Sequence, residues 1–417
     1  MKQRKKVILL APAGSREALS AALANGADAV YFGVGDLNMR SHAALNFQIS
    51  DLPEIAAECH RHGAQAWLTV NIIAYDSEIE AVREVLDAAR QAGVDAVIAA
   101  DQAVIVMAAE AGLPVHISVQ ANVSNSMAVK FYSQWADVVV AARELTLEQI
   151  AGIRREIEAR GICGPSGEPV RLEAFVHGAL CIGISGRCGM SLCEYNTSSN
   201  RGKCYQPCRR AYIVTDEDTG QEFKIDNKYI MSPRDLCTIA QLPRMLEAGI
   251  SVLKIEGRGR GADYVAATTR CYRQALDVWL EGKTPSREKL EEWRRELAAV
   301  FNRNFWEGGY YFGEDTAVWA GNRDSQATVK KHFVGAVTHY YQRTSVVELV
   351  VQASPLKNGD RILVTGPTTG AVQHTITEMM VDDKFTDSAA QGQTVTFKLE
   401  PKVRVNDKLF RLEERKF

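Results

Sequence analysis

The chain has 417 residues, of which 46% are hydrophobic and 24% charged, and its formal net charge at pH 7 is −2. This composition is typical of an ordinary folded, soluble protein with room for two or three domains. The small net charge shows that the protein as a whole is not strongly basic, so any contact with nucleic acid must depend on a local basic patch.

The amino terminus, MKQRKKVILLAPAG, is basic and then apolar. Its apolar run stops at Pro12, which is too early for the hydrophobic part of a secretory signal. We find no stretch with the length of a transmembrane helix and expect no membrane partner. We therefore expect a cytoplasmic protein whose thiols stay reduced, and metal binding or catalysis rather than disulfides as the use of its cysteines.

The first two-thirds of the chain repeat a unit made of a turn, a short apolar strand and an amphipathic helix. Strands that alternate with such helices are typical of a parallel sheet. Eight units in about 280 residues predict an α/β fold, a closed (β/α)8 barrel. An open doubly wound sheet is the alternative, but its glycine-rich motif after the first strand is missing. The predicted strands are residues 7–14, 28–35, 64–71, 95–101, 114–122, 137–144, 171–179 and 250–258.

We predict three regions along the chain. The barrel covers residues 1–283 and carries a cysteine-rich loop at about 180–230. A helical and then aromatic linker covers residues 284–327. From residue 328 to residue 417, short alternating segments separated by turns such as KNGD predict a small all-β barrel domain.

Several predicted strands carry polar residues at alternate positions. In SVLKIEGR, Lys254 and Glu256 share one face and Leu253 and Ile255 share the other. Because the apolar face must pack against the surrounding helices, we expect the polar face to point into the barrel. Buried polar groups must bond to one another or to a ligand. We expect a self-satisfied polar layer deep in the barrel, made of His116, Ser118 and Glu173. At the strand ends we expect a substrate pocket that includes Asn71, Gln120, Asn122, Arg143, His177, Glu256 and Arg258.

The segment KIEGRGRGADYV places glycines and arginines directly before a predicted helix. The free N–H groups at the start of a helix attract anions, and barrels often bind phosphate after the eighth strand. We expect Arg258 and Arg260 to contact a carboxylate or a phosphate. A surface turn that merely needs glycine is the alternative.

Five of the nine cysteines lie in residues 180–210, within the long connection after the seventh predicted strand. Long connections are usually functional, and loops at this end of a barrel build the active site. Zinc sites usually use two closely spaced cysteine pairs, whereas irregular all-cysteine spacing suits an iron–sulfur cluster. Spacing alone favours iron–sulfur only slightly and leaves zinc open. The candidate metal ligands are Cys181, Cys188, Cys204 and Cys208, with Cys193 and Cys237 as further candidates.

The segment EAFVHGALCIGISGRCGMS, residues 173–191, matches at every defined position the signature of the collagenase-like peptidase family U-32, E-x-F-x-x-G-A-[aliphatic]-C-x4-G-x-C-x-[aliphatic]-S. NRGKCYQPCRR, YIMSPRDL, VLKIEGRGRGADYV, LLAPAG and GADAVYFG also resemble blocks of that family. The resemblance covers the whole chain, including the carboxyl-terminal β domain.

Members that this layout resembles make 5-hydroxyuridine at the wobble position of tRNA with prephenate as hydroxyl donor. Others hydroxylate a cytidine of 23S rRNA, and shorter ones without the terminal β domain act in ubiquinone hydroxylation. The resemblance implies a 4Fe-4S cluster, with tRNA or rRNA and a small dicarboxylate as partners. By motif, the cluster ligands fall on Cys181, Cys188, Cys204 and Cys208, and Cys193 and Cys237 have no place in that motif.

Three functions compete at this point: an RNA hydroxylase, a collagenase-like peptidase and a cluster-bearing binding module. The chain lacks H-E-x-x-H and G-x-S-x-G. Cys181 and His177 suggest a Cys–His pair, but a cluster ligand cannot also be a free nucleophile. A polar barrel mouth, a redox-capable cluster and a β domain suited to holding RNA favour the hydroxylase, and we expect His177, Glu256 and Arg258 as its catalytic residues. The expected substrate-binding residues are Asn71, Gln120, Asn122, Arg143 and Arg260.

Overall fold

The computed structural model describes residues 7–41, 45–223, 232–313, 319–320 and 325–415. The basic start of the chain, residues 1–6, lies outside the described residues. So do residues 224–231 of the predicted cysteine-rich loop and of YIMSPRDL, and residues 314–318 and 321–324 of the predicted linker.

Short strands and helices alternate through the first 280 residues, and several of the helices begin where a capping side chain satisfies one of the first N–H groups. Ser15, for example, accepts a hydrogen bond from the amide of Ala18 at 3.2 Å. The strands are β1 (Ile8–Pro12), β2 (Ala29–Phe32), β3 (Gln65–Val70), β4 (Ala96–Ala99), β5 (Val115–Ile117), β6 (Ala136–Val140), β7 (Arg171–Ala179), β8 (Val214–Thr215), β9 (Glu222–Phe223), β10 (Asp235–Cys237) and β11 (Ile250–Ile255). The helices are α1 (Arg16–Ala24), α2 (Leu52–Arg61), α3 (Ile79–Gln91), α4 (Gln102–Glu110), α5 (Ser126–Tyr132), α6 (Leu147–Ala159), α7 (Met190–Tyr195), α8 (Leu242–Glu247), α9 (Ala262–Leu280) and α10 (Arg287–Ala299).

Strands β1 to β7 pair in chain order, and β11 pairs in parallel with both β7 and β1, which closes the ring. The predicted (β/α)8 barrel is therefore confirmed: seven of the eight predicted strands contain one barrel strand, and β6 begins one residue before the sixth predicted strand. Alternation along the strands sorts the side chains into two layers. Leu10, Tyr31 and Trp67 belong to a cluster inside the ring, whereas Leu9 and Leu253 pack with the helices.

Two further strands extend the sheet beyond the ring. Strand β10 pairs antiparallel with the end of β7, and β12 (Phe305–Trp306) pairs with β10. The segment between β7 and β10 therefore returns to the same end of the barrel from which it leaves. This arrangement keeps the cysteine-rich segment over the carboxyl ends of the barrel strands.

An antiparallel domain follows, with its own core that includes Val334, Leu349, Val364, Phe397 and Leu409. Its strands are β13 (Val329–Tyr341), β14 (Val346–Val350), β15 (Leu356–Lys357), β16 (Arg361–Gly366), β17 (Gly370–Thr375), β18 (Met379–Val381), β19 (Lys384–Thr386), β20 (Ser388–Ala389), β21 (Thr394–Lys398) and β22 (Lys408–Glu414). Eight of these strands form one sheet in the order β17-β16-β22-β13-β14-β21-β18-β19, and β15 pairs with β20.

The β domain packs on the barrel through α1 and α9. The hydroxyl of Ser20 donates a 2.6 Å hydrogen bond to the carbonyl of Pro367, and Lys331 pairs with Asp263 at 2.8 Å. Gly370 has a φ of +68°, and a Cβ there would lie 2.8 Å from the amide nitrogen of Ala21. Only glycine permits this close approach of β17 to α1. Over the described ranges, no helix has the length and apolar character needed to cross a membrane.

Candidate active site at the mouth of the barrel

A cavity of about 350 Å³ lies at the carboxyl ends of the barrel strands, beneath the cysteine-rich segment. This is the end at which barrel proteins place their sites, and the volume suits a small molecule. Tyr31 and Lys254 contribute from the barrel strands, and Cys181 and Cys208 contribute from the covering segment. The cavity therefore joins the two features that the sequence singles out, the polar strand ends and the thiols.

Below the cavity, the barrel interior holds a buried ion pair. Lys254 donates a 2.7 Å hydrogen bond to Glu173, and its ammonium lies 4.6 Å from the ring centroid of Tyr31. Glu173 and His116 both lie in the barrel interior, as predicted, but Glu173 Oε2 and His116 Nδ1 are buried and form no hydrogen bond within the described ranges, so the layer is not fully satisfied by its own members. His116 lies in the same interior, edge-on to Trp67 with ring centroids 4.2 Å apart. Burial, reinforced by Lys254, lowers the pKa of His116 to about 3, so this histidine is neutral.

Arg258 is 4% exposed and lines the cavity. Its guanidinium donates a 2.8 Å hydrogen bond to Thr69 Oγ1, and the Thr69 hydroxyl in turn donates to the carbonyl of Phe32 at 2.8 Å. Gly33 leaves the space for this arrangement, because a Cβ there would lie 2.5 Å from Arg258 Nη1. Burial lowers the pKa of Arg258 to about 10, so the side chain still carries its charge. Within the described ranges no carboxylate pairs with it.

Glu256 also faces the cavity and is bound by an arginine from a different part of the chain. Arg40, in the loop after β2, donates a 2.6 Å hydrogen bond to Glu256 Oε1. Asn38 is fully buried and accepts a 3.0 Å hydrogen bond from the amide of Arg40, which fixes the backbone of the loop. Burial alone would raise the pKa of Glu256, but Arg40, Arg260 and Arg143 outweigh it and hold that pKa at about 2.

Amide and hydroxyl groups form another part of the wall. The amide nitrogen of Asn71 lies 3.2 Å from both Ser118 Oγ and Gln120 Oε1, and the Ser118 hydroxyl also contacts Gln120. The amide of Met39 donates to Asn71 Oδ1 at 3.2 Å. These side chains are held by one another, which leaves their remaining hydrogen-bonding capacity directed at the cavity they line.

The remaining predicted arginines line the cavity as well. The guanidinium of Arg143 lies over the ring of Phe175, 5.3 Å from its centroid, and donates to the carbonyl of Ala179 at 3.4 Å. The guanidinium of Arg260 lies 3.5 Å from the ring centroid of Phe301. Stacking on aromatic faces orients a guanidinium and leaves its N–H groups free to bind an anion.

The four predicted metal ligands all line the cavity. Burial raises the pKa of the Cys208 thiol to about 11, Arg209 opposes this, and the thiols of Cys181, Cys204 and Cys188 add to it. The segment is tied together by the Ser199 hydroxyl, 2.8 Å from the carbonyls of both Gly186 and Cys188. In the part of the chain that the structure describes, no three Cys, His, Asp or Glu side chains lie close enough together to hold a metal ion. The four thiols nevertheless line one cavity, and cysteine thiols are the donors that an iron–sulfur cluster uses, so the chemistry of the residues present fits that group.

The structure does not bring His177 into the cavity. Its ring is 1% exposed and packs among Tyr264, Tyr272 and Phe305, with the Tyr272 hydroxyl 3.4 Å from Nδ1. The strand register explains this position. Lys254 pairs with Phe175, but the next residue of β11, Ile255, pairs with His177, so β7 has one extra residue at this point. This bulge reverses the alternation, so the prediction that His177 points inward is wrong. Burial lowers its pKa to about 3.

Three other candidates also lie away from the cavity. Asn122 follows β5 in the left-handed conformation with a φ of 53°, and its buried Oδ1 accepts no hydrogen bond within the described ranges. Cys193 is exposed on α7, and Cys237 is buried in β10 behind the wall. None of the three belongs to the cavity lining.

Sequence reasoning missed several residues that line the cavity, among them Arg209, Arg303, Tyr31 and Thr69. Tyr31 and Thr69 lie on strands where alternation could have shown their direction. Arg209 adjoins Cys208 in PCRR, which is a signal that could have been used. Arg303 follows α10, and no local pattern shows that this segment returns to the barrel mouth.

The fold and the site define a class of protein, a (β/α)8 barrel with an arginine-rich cavity under a four-cysteine segment. Residues 14–320 match peptidase family U32, and the chain belongs to that family, as the resemblance predicts. A collagenase of Porphyromonas gingivalis is 46% identical over 407 residues, 98% of each chain. The tRNA hydroxylation protein P1 of Bacillus subtilis is 34% identical over 413 residues, 96% of this chain and 93% of that protein. The 23S rRNA 5-hydroxycytidine synthase of Escherichia coli is 34% identical over 277 residues, 66% of this chain and 40% of that protein.

Proposed function

We propose that this chain is an iron–sulfur RNA-modifying enzyme that hydroxylates a pyrimidine, with prephenate as the hydroxyl donor. The proposed product is 5-hydroxyuridine at the wobble position of tRNA. The observation that carries the proposal is the composition of the cavity lining. Four thiols lie there with several arginines, and these arginines outnumber the carboxylates that pair with them. One relative, which aligns with 96% of this chain, is named a tRNA hydroxylation protein, and another, which aligns with 66% of it, is named a 23S rRNA 5-hydroxycytidine synthase.

The size and lining of the cavity suit a single base and a small acid. Enzymes that modify a base extrude it into a pocket and bind its polar edge by hydrogen bonds. The amides of Asn71 and Gln120 can serve that edge, because amide groups both donate and accept. Arg258 can bind a carboxylate through its planar fork, which ammonium groups lack.

Cys181, Cys188, Cys204 and Cys208 would hold the 4Fe-4S cluster. When bound, such a cluster supplies electron-transfer or Lewis-acid chemistry beside the cavity. The cationic side chains around the thiols, among them Arg209 and Arg40, offset the negative charge of thiolate ligands. Glu256 keeps Arg40 in place and stays ionised at neutral pH.

The cysteine-rich segment carries exposed side chains that suit RNA. Arg187 and Lys203 are exposed on it, and Tyr205, two residues after Lys203, is 40% exposed. Basic side chains bind the phosphate backbone, and aromatic rings stack on unpaired bases. A local patch of this kind is what a chain with a net charge of −2 needs for RNA binding.

A peptidase is the second candidate, favoured by the 46% identity to a protein named collagenase. A Cys–His mechanism needs a free thiol beside an accessible imidazole. His177 is buried outside the cavity, and the thiols that line the cavity are those assigned to the cluster. Hydroxylation of an rRNA cytidine would use the same site and differs only in the RNA that is bound.

The test is mass spectrometry of nucleosides from tRNA and rRNA of a deletion strain. We expect loss of a hydroxylated pyrimidine, restored by the wild-type gene and not by a gene with Cys204→Ser. A gene with Cys163→Ser, an exposed cysteine outside the cavity, is the matched control and should restore the nucleoside. Unchanged nucleosides, together with gelatin cleavage by the pure protein, would instead establish the peptidase.

A further inference from the structure

A second group of arginines lies in the cavity, apart from Arg258. The guanidinium carbons of Arg260 and Arg303 lie 3.5 Å and 5.0 Å from the centroid of the same ring, that of Phe301. Arg303 comes from the segment between α10 and β12, and its Nη1 lies 3.3 Å from Asp235 Oδ1. Both arginines line the cavity.

The charge of this group is not balanced by the protein. Asp235 is the nearest carboxylate, and Arg209 shares it at longer range. Within the described ranges Arg303 Nε is buried and forms no hydrogen bond, and the Arg260 guanidinium contacts the ring of Phe301 without a hydrogen bond or an ion pair. Burial and the neighbouring Arg303 lower the pKa of Arg260, as expected for cations held together out of water. Such a group is unfavourable unless an anion completes it.

The two groups have different partners. Arg258 donates a hydrogen bond to Thr69 and lies 6.0 Å from the ring centroid of Tyr31. Arg260 and Arg303 stack instead on Phe301, and Arg303 pairs with Asp235. The carboxylate of Glu256 acts on both Arg258 and Arg260, so it repels an anion placed close to it.

We propose that Arg260 and Arg303 form a second anion subsite, so that the cavity selects small molecules with two acidic groups on separate carbons. One acidic group would bind at Arg258 and the other at Arg260 and Arg303. The inference rests on the proposed function only for the choice of prephenate as the probe. Arg303 is then the residue that determines specificity for a dicarboxylate over a monocarboxylate.

The competing explanation is that these arginines only offset the charge of the cluster. That role fits Arg209, which adjoins Cys208. It predicts that loss of Arg303 changes the iron content or the reduction potential and affects all ligands alike. A second subsite predicts instead that the effect depends on the number of carboxylates in the ligand.

The experiment uses the purified, cluster-bearing full chain and isothermal titration calorimetry. Prephenate carries two carboxylates, and phenylpyruvate is a probe of related shape with one. We expect the wild type to bind prephenate roughly ten- to a hundredfold more tightly, since this is the effect of one charge-assisted pair. Arg303→Gln should remove that preference and leave phenylpyruvate binding unchanged. Arg260→Gln should also remove the preference for prephenate. Because this variant keeps the Arg303–Asp235 pair, it still tests the inference if Arg303→Gln fails to fold.

Arg244→Gln is the matched control, because Arg244 also stacks on an aromatic ring, that of Phe312 at 4.1 Å, outside the cavity. It should keep the preference of the wild type. Equal binding of the two acids by the wild type, no prephenate binding at all, or equal losses for both acids in Arg303→Gln would overturn the inference. Failure of the proposed function shows elsewhere, as unchanged nucleosides in the deletion strain, whatever the calorimetry gives.

Discussion

Arg40 and Glu256 are 216 residues apart in the chain and form a 2.6 Å ion pair across the mouth of the barrel. The pair joins the loop after β2 to the end of β11, the two strands that flank β1 in the ring. Because the pKa of Glu256 is held at about 2, this carboxylate does not act as a general acid near neutral pH. We infer that it positions Arg40 and separates the anions in the cavity.

The first prediction concerns this pair. Glu256→Gln leaves Arg40 without its carboxylate and lets the loop after β2 move. We expect RNA hydroxylation to fall at least tenfold, since a lost charge-assisted hydrogen bond costs about 1.5–3 kcal/mol. Nucleoside mass spectrometry measures the loss, and iron content should stay at the wild-type level. Normal hydroxylation in this variant would show that the pair is only structural.

The second prediction concerns the cluster. Protein purified without oxygen should be brown, with about four iron and four sulfide per chain for one cubane cluster. Serine at Cys181, Cys188, Cys204 or Cys208 should each lower the iron content. Cys193→Ser and Cys271→Ser are the controls, since neither thiol lines the cavity, and they should keep it. Stoichiometric zinc in an anaerobic preparation would contradict the cluster.

The contrast between Lys254 and His177 shows how far the sequence predicts this site. Alternation places Lys254 correctly inside the barrel, because the pairing of β11 with β7 is regular from Val252 to Lys254. The same rule fails four residues after Glu173, because the bulge in β7 is set by its pairing with β11 and β10, which no local pattern records. The position of Arg303 in the cavity lining could not be predicted for a related reason, because it depends on where the chain runs after α10.

The third prediction concerns the space that Gly33 provides. A methyl group there would meet Arg258 Nη1 at 2.5 Å and Asn38 Cγ at 2.6 Å. Gly33→Ala should therefore displace Arg258 and weaken prephenate binding roughly tenfold or more, the effect of losing one charge-assisted bond. Gly189→Ala is the control, because nothing lies within 4 Å of a Cβ at that position. Wild-type affinity in Gly33→Ala would mean that Arg258 does not bind the acid.

The fourth prediction is the substitution of Arg258 itself. Arg258→Lys keeps the charge but loses the planar fork that bonds a carboxylate twice. Prephenate should bind roughly ten- to a hundredfold more weakly, because a charge-assisted bond is lost. Hydroxylation should therefore fall severely, while iron content and fold stay intact. Near-wild-type nucleoside levels would move the anion site to Arg40 or Arg143.

The last prediction concerns stability at mildly acidic pH. Burial lowers the pKa of His116 and of His177 from 6.5 to about 3, so the folded protein holds both rings neutral. Between those values the unfolded chain binds more protons than the folded chain, so the stabilisation is full above pH 6.5 and is lost as pH falls. At pH 5 each histidine should cost roughly 2 kcal/mol of the free energy of unfolding relative to pH 7. Carboxylates with ordinary pKa values contribute little in this window, which isolates the histidines.

His116→Leu should therefore lose roughly half as much stability as the wild type between pH 7 and pH 5, since one of the two buried rings is gone. Urea unfolding at the two pH values, followed by tryptophan fluorescence, measures the difference. His62→Gln replaces an exposed histidine and should keep the wild-type dependence. The same loss in His116→Leu as in the wild type would show that the ring beside Trp67 takes up its proton without cost, because water or a carboxylate reaches it.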